Sequence, residues 1–216
     1  MKIALIGATG FVGSAILKEA LDRGIEVTAI VRHPQKIKAQ DHLTIVKGDV
    51  MDTDQLSEAF KGNDVVVSAY NAGWTNPDLY NEFLKGSKSI QEAVTKSGVK
   101  RYIVLGGAGS LFVAPGRQLI DSPEFPDAWK PGARSARDYL NILKNEKELD
   151  WTFISPAIEM NEGNPGERKG TYRTGLENPV FDANHKSYIS VYDLAVAVVD
   201  EVENPKHIRQ RFTVGY

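Results

Sequence analysis

The chain of 216 residues contains no cysteine. Disulfides, thiol nucleophiles and cysteine-ligated metals are therefore excluded together. Histidine is scarce as well, at 4 residues. His33, His42, His185 and His207 stand apart from any Asp or Glu at ligand spacing, so no metal site is expected. Neither sign of charge dominates: 26 Lys+Arg against 28 Asp+Glu leave a net charge of -2. That balance supplies no global attraction for nucleic acid or anionic lipid. No apolar run approaches the ~20 residues of a membrane span. The opening Met1-Lys2-Ile3-Ala4-Leu5-Ile6 is also too short for a signal peptide. We expect a cytosolic chain acting on a small molecule, with neither nucleic acid nor membrane as partner, as a monomer or homodimer. No G-x-S-x-G elbow is present, and Gly109-Ser110-Leu111 lacks the trailing glycine of one.

With 42% hydrophobic and 25% charged residues, the composition is that of a globular protein. Glycine is the residue in excess: 19 of them, roughly 9% against a typical ~7%. Several fall in the first dozen residues, where they say that backbone comes close to something.

Short β-branched runs recur at a steady interval: 3–6, 27–31, 44–46, 65–67, 102–105 and 152–154. They lack strict alternation, as strands buried on both faces of a parallel sheet do. Between them the spacing predicts helices over 11–23, 53–60, 78–97 and 133–148, the first and third closed by Gly24 and Gly98. Thr53 reads as a cap. Ser190-Val191-Tyr192-Asp193 resembles a capping box with Asp in place of Glu or Gln and opens a last helix, and 211–214 supplies a final edge strand. Alternating strand and helix define an α/β fold: a Rossmann-like, doubly wound parallel sheet with helices on both faces, in a single domain over 1–216. Two long segments, 114–132 and 161–184, follow strands closely. They are either walls of a substrate pocket or solvated surface insertions. Prolines at 115, 123, 126 and 131 exclude a regular helix from the first.

Gly7-Ala8-Thr9-Gly10-Phe11-Val12-Gly13 follows the first strand and opens the first helix. Gly7 permits a tight turn, Gly10 lets backbone approach a pyrophosphate, and Gly13 allows close packing of helix on strand. Free N–H groups of Thr9, Phe11 and Val12 and the positive helix end would face phosphate. At the end of the second strand stands Arg32, where an NAD site carries an acid for the ribose 2′-hydroxyl. With Lys36 nearby, this favours a 2′-phosphate and hence NADP(H), with NAD(H) the alternative. Asp49 and Val50 close the third strand, where adenine is expected. Ala69, Tyr70 and Asn71 close the fourth, beneath ribose and nicotinamide. Gly106 and Gly107 close the fifth, and Pro156 the sixth. Each is either a cofactor contact or merely a turn.

The glycine motif, Arg32, Gly48-Asp49-Val50, Gly106-Gly107-Ala108-Gly109-Ser110, Ser155-Pro156-Ala157 and Ile189-Ser190-Val191-Tyr192-Asp193-Leu194-Ala195 together resemble the atypical short-chain dehydrogenase/reductases. More narrowly they resemble the NmrA-like NAD(P)H-binding group, which includes NADH-flavin reductases and has epimerase/dehydratase-like relatives. Enzymes of that superfamily use a Tyr and, after three intervening residues, a Lys as proton relay. Tyr139 stands at about the matching place, but Leu143 occupies the Lys position, and Lys144 is rotated ~100° around the helix. Tyr139 is then either a proton donor or ribose contact, or a core hydroxyl with a local partner. Without a complete relay, the resemblance implies direct hydride transfer to a flat acceptor, a flavin used as substrate or a quinone. Gly106 and Gly107 would leave an open floor beside the nicotinamide. Trp74 and Phe112 would offer apolar faces, and Ser110 a polar contact, with Trp74 alternatively a loop anchor. A non-catalytic NADP(H) sensor and a sugar epimerase or dehydratase are the competing readings.

Overall fold

The apolar run after Met1 enters the centre of a sheet at once. In the computed structural model, which describes residues 1–216, β1 (Lys2–Ile6) is buried along its length but for Lys2. It is flanked in parallel by β2 (Glu26–Val31) and β4 (Val65–Ser68). Outside β2 lies β3 (Leu43–Lys47), and outside β4 lie β5 (Arg101–Leu105) and β8 (Asp150–Ser155), all parallel. The chain's final run, β10 (Gln210–Gly215), pairs in parallel with β8. It is not the edge, however. β9 (Arg173–Gly175) pairs antiparallel on its outer side, giving the order β3-β2-β1-β4-β5-β8-β10-β9. A three-residue strand between stretches of Gly, Asn and charge has no periodicity to read, so only the pairing reveals it.

Helices cover both faces. α1 (Phe11–Asp22) and α5 (Val191–Glu203) share one face with a cluster of 27 buried apolar residues. α2 (Thr53–Phe60), α3 (Leu79–Ser97) and α4 (Lys130–Leu143) cover the other, over 21. At ~1.5–3 kcal/mol for each fully buried large aliphatic side chain, these two layers supply the gross stabilisation. Gly98 ends α3 in the left-handed conformation, φ 83°.

Three boundaries differ from expectation for local reasons. Asp52, not Thr53, caps α2, its carboxylate accepting from the Gln55 N–H. α4 starts at Lys130 because Pro131 falls in the first turn, where its missing N–H has no acceptor to lose. It ends at Leu143, short of the mixed-charge run that follows. The rest of 114–132 holds a hairpin of β6 (Phe112–Ala114) and β7 (Arg117–Gln118) and short 3-10 turns.

The 161–184 segment is tied to the helical layer through residues 168–172. Arg168 donates twice to Glu19 of α1, at 3.0 Å each, and Tyr172 donates to Asp200 of α5 at 2.6 Å. The buried Asp193 carboxylate accepts from the N–H groups of Lys169 and Gly170 and from the Tyr216 hydroxyl. Ser190 does cap α5, accepting from Asp193 N–H at 3.0 Å. The Asp193 side chain turns to the strap instead of completing the box, because three donors wait there.

Candidate functional site

The turn between β1 and α1 is built around backbone contacts that leave no room for side chains. Gly7 adopts φ 83°, and a Cβ there would lie 2.5 Å from the Ala69 carbonyl oxygen at the end of β4. A Cβ at Gly13 would lie 1.9 Å from the Gly7 oxygen. These two glycines press the helix start onto the ends of two central strands. Gly10 caps α1 without any side-chain bond, and the N–H groups of Phe11, Val12 and Gly13 have no acceptor in the protein. α2 and α5, by contrast, are capped by Asp52 and Ser190. Thr9 and Gly10 are exposed, and Phe11 and Val12 pack on the core. An open, uncapped helix start with Cβ-free walls is the shape and polarity a pyrophosphate requires. The residues present fit a dinucleotide.

Arg32 follows β2 at this same edge, is exposed, and pairs with no carboxylate. Lys36 ends a short turn close by, likewise exposed. Asp49 is fixed by its own turn: its Oδ1 accepts from Met51 N–H at 2.9 Å, while its backbone N–H donates to Gln55. Val50 is half-buried against the core. Asn71 accepts from Gly73 N–H at 2.7 Å.

Tyr70 turns its ring onto α3. Its ring lies over Gly86 of α3, stacks on Phe83 at 5.8 Å, and its hydroxyl donates to the Glu82 carbonyl. Burial pushes this hydroxyl up to about 12, with Glu82 and Asp49 adding to the shift and Arg32 opposing it. The charges acting on it come from Glu82 of α3 and from Arg32 and Asp49 at the β2 and β3 ends.

The sixth-strand end brings Pro156, half-buried, to the same rim, with Ile158 N–H bonded to Ser187.

Two expectations about the reacting end, at Gly106 and Ser110, are corrected. Gly106 is not an open floor. A Cβ there would lie 1.9 Å from Cζ of Phe153, so the ring from β8 occupies the space. Gly107 is less confined, with Ala136 Cβ 3.7 Å from its own Cβ position. Ser110 is buried, and its Oγ accepts from Arg211 at 3.1 Å; Arg211 is in turn paired with Glu177. Its hydroxyl belongs to the scaffold, because a buried guanidinium needs every acceptor within reach. Phe112 is half-buried and held through its backbone to Glu177 and Asn178.

Tyr139 is the largest departure. It is fully buried, its ring edge-on to Phe83, and its hydroxyl is shared between Tyr102 and Gln91 at 3.2 Å each. Burial raises its hydroxyl well above the usual tyrosine value. A relay tyrosine needs the opposite shift. Nor does it lie at the cofactor edge: Tyr102 is near the start of β5, and the crevice of an open α/β sheet lies beyond strand carboxyl ends. Tyr139 is therefore a core hydroxyl. Trp74 alone among the expected substrate contacts stays open, 60% exposed.

Residues 7–205 match the family model described as NAD(P)H-binding, and the chain belongs to that family, of atypical short-chain dehydrogenase/reductase type. Its fold is shared over its whole length by solved structures. A protein from Bacteroides thetaiotaomicron, provisionally named an epimerase, is 50% identical with TM-score 0.92, covering 100% of this chain and 96% of that one. SP1627 of Streptococcus pneumoniae, provisionally named an NADH-flavin reductase, is 36% identical with TM-score 0.86, covering 100% and 99%. The uncharacterized protein YwnB of Bacillus subtilis is 40% identical over 99% of this chain and 98% of its own length. No helix is long and apolar enough to cross a membrane.

Phe153, Gln91 and Arg211 escaped the sequence reading. Each matters through a partner more than 30 residues away, and strand parity alone places Phe153 beside Trp151 without saying what it meets.

Proposed function

We propose that the protein is an NADPH-dependent reductase of a flat electron acceptor, a flavin taken as substrate or a quinone. The carrying observation is the placement of Tyr139 in the core: with Ser110 also engaged, the usual relay pair contributes no proton donor at the crevice. Sugar epimerisation and alcohol oxidation need such a donor; hydride transfer to a conjugated ring does not. The free N–H groups at Phe11, Val12 and Gly13 would hold the pyrophosphate, and Arg32 with Lys36 the 2′-phosphate. When bound, the reduced nicotinamide supplies a hydride, two electrons with one proton, and solvent supplies the second proton that completes acceptor reduction. The chain's own task is to position the two rings and to exclude competing chemistry. The name carried by the pneumococcal relative agrees with this reading. That of the Bacteroides relative points to epimerisation, and the buried Tyr139 weighs against it.

The test is anaerobic NADPH oxidation with FMN, FAD and quinones as acceptors. Turnover with at least one supports the reading. Micromolar NADP⁺ binding with no turnover on any acceptor overturns it in favour of a cofactor-binding sensor, which the same sequestered hydroxyls would suit.

A further inference from the structure

Hydrophobic burial does not explain Trp74. At 60% it is the most exposed of the large apolar side chains, though its indole would gain ~1.5–3 kcal/mol from full burial. Nor is it loose. Gly132, in the first turn of α4, presents a bare Cα to it: a Cβ there would lie 2.7 Å from Cζ3 and 3.1 Å from Cη2 of the indole. The segment that carries Trp74 is pinned on both sides by asparagines. Asn71 accepts from Gly73 N–H at 2.7 Å, and Asn76 accepts from Asp78 N–H at 2.9 Å while donating to Glu82 at 2.7 Å. An exposed aromatic ring on a fixed support is pre-organised for a ligand. Trp129, the residue before α4, is a second exposed indole, 49% open, one helical turn ahead of Gly132.

Their position is that of the reacting end. The first turns of α4 lie between two loops that leave carboxyl ends of central strands. Trp74 of the β4–α3 loop is on one side. Gly109 of the loop after β5 is on the other, where a Cβ would come within 2.8 Å of Ala133 Cβ. The crevice of such a sheet opens there. Of the surfaces expected to receive a flat ring, Gly106 is filled by Phe153 and Phe112 is half-buried. The most exposed aromatic side chains on these segments are Trp74 and Trp129.

We propose that Trp74, seated on Gly132, and Trp129 form an indole platform that binds the ring of the acceptor. The platform selects fused conjugated systems, isoalloxazine or naphthoquinone, over a single ring, because stacking gains with overlapping area. The inference rests on the reductase reading and adds the acceptor's binding residues.

Tryptophan emission reports it directly, since the third indole, Trp151, is buried at 3% exposure. FMN and 2-methyl-1,4-naphthoquinone are titrated onto the full chain saturated with NADP⁺. Saturable quenching is expected in the wild type, with 1,4-benzoquinone binding more weakly. Trp74→Phe and Gly132→Ala weaken FMN binding roughly three- to tenfold, and NADP⁺ affinity by calorimetry stays within about twofold. Trp129→Phe gives a smaller loss and remains informative if Gly132→Ala unfolds. Unsaturable quenching in the wild type, or FMN affinity unchanged in both Trp74→Phe and Trp129→Phe, overturns the platform. Flavin reduction persisting in that case leaves the reductase reading intact. FMN held on the platform but never reduced by NADPH overturns that reading and leaves the platform.

Discussion

The hydroxyls of Tyr139 and Tyr102 lie 3.2 Å apart, both rings fully buried. Gln91 accepts from the same Tyr139 hydroxyl and passes the chain on to Glu146 at 2.8 Å. Two tyrosines, an amide and a carboxylate thus join β5, α3 and the end of α4. The hydroxyl at position 139 is spent on structure. Tyr139→Phe is expected to lower the unfolding free energy by about 1 kcal/mol and to leave kcat within about twofold. Urea unfolding beside steady-state kinetics checks both. A tenfold fall in kcat with normal stability would return Tyr139 to the reaction.

Gly10 and Gly13 separate cofactor binding from folding. An alanine Cβ at Gly13 meets the Gly7 carbonyl oxygen at 1.9 Å, backbone against backbone. Gly13→Ala should cost about 1–3 kcal/mol of stability and abolish NADP⁺ binding. At Gly10 the same methyl lies 3.3 Å from that oxygen, and in the proposed site it would stand where the phosphate is bound. Gly10→Ala should keep stability within about 1 kcal/mol while weakening NADP⁺ at least about tenfold. Thermal melts and calorimetry distinguish the two.

Arg32 carries the choice between cofactors. Charge-assisted bonds to a 2′-phosphate are worth about 1.5–3 kcal/mol, so Arg32→Ala should raise the NADP⁺ Kd roughly 10- to 100-fold. The NAD⁺ Kd should not move. Equal weakening of both, or of neither, would remove the assignment.

Glu19 ties α1 to the strap. Bonding to Arg168 holds its carboxyl below the ordinary glutamate value of 4.5, burial opposes, and Arg23 adds to the lowering. A carboxyl with a lowered folded pKa stabilises the fold at pH above its unfolded value, and the gain disappears as pH falls through the folded value. Glu19→Gln should therefore cost about 1–3 kcal/mol at pH 7. The gap to wild type should narrow below pH 4.5, in denaturation series from pH 7 to pH 3.

Asp193 holds the same strap at the next two residues, Lys169 and Gly170. Asp193→Ala leaves the Lys169 and Gly170 N–H groups and the Tyr216 hydroxyl without their acceptor. About 2–4 kcal/mol should be lost. Limited proteolysis should cut first within 165–173. Cutting elsewhere at an unchanged rate would mean that the ion pairs alone secure the strap.

Most of what was legible in the sequence is short-range. The strand–turn–helix with glycines at 7, 10 and 13 is complete within a dozen residues, and a tight turn at Gly7 needs nothing from the rest of the chain. Arg32 is legible for the same reason, because a strand end and the residue after it are local. Legibility failed where a side chain had several partners to choose among. Position 139 can be placed on a helix from spacing. Whether its hydroxyl meets a ligand or Tyr102 depends on which face of α4 the sheet takes.

The alternation of central strands and helices, the glycine turn and the cation after the second strand were determined by the sequence alone, since each follows from periodicity or from a few consecutive residues. Only the tertiary structure decided that Phe153 fills the space at Gly106, that Arg211 takes the Ser110 hydroxyl, that β9 closes the sheet outside β10, and that Trp74 and Trp129 stay open while Trp151 is buried. Those outcomes come from packing between residues far apart in the chain. Buried polar groups must find partners there and voids must be filled, and no local pattern records which group wins.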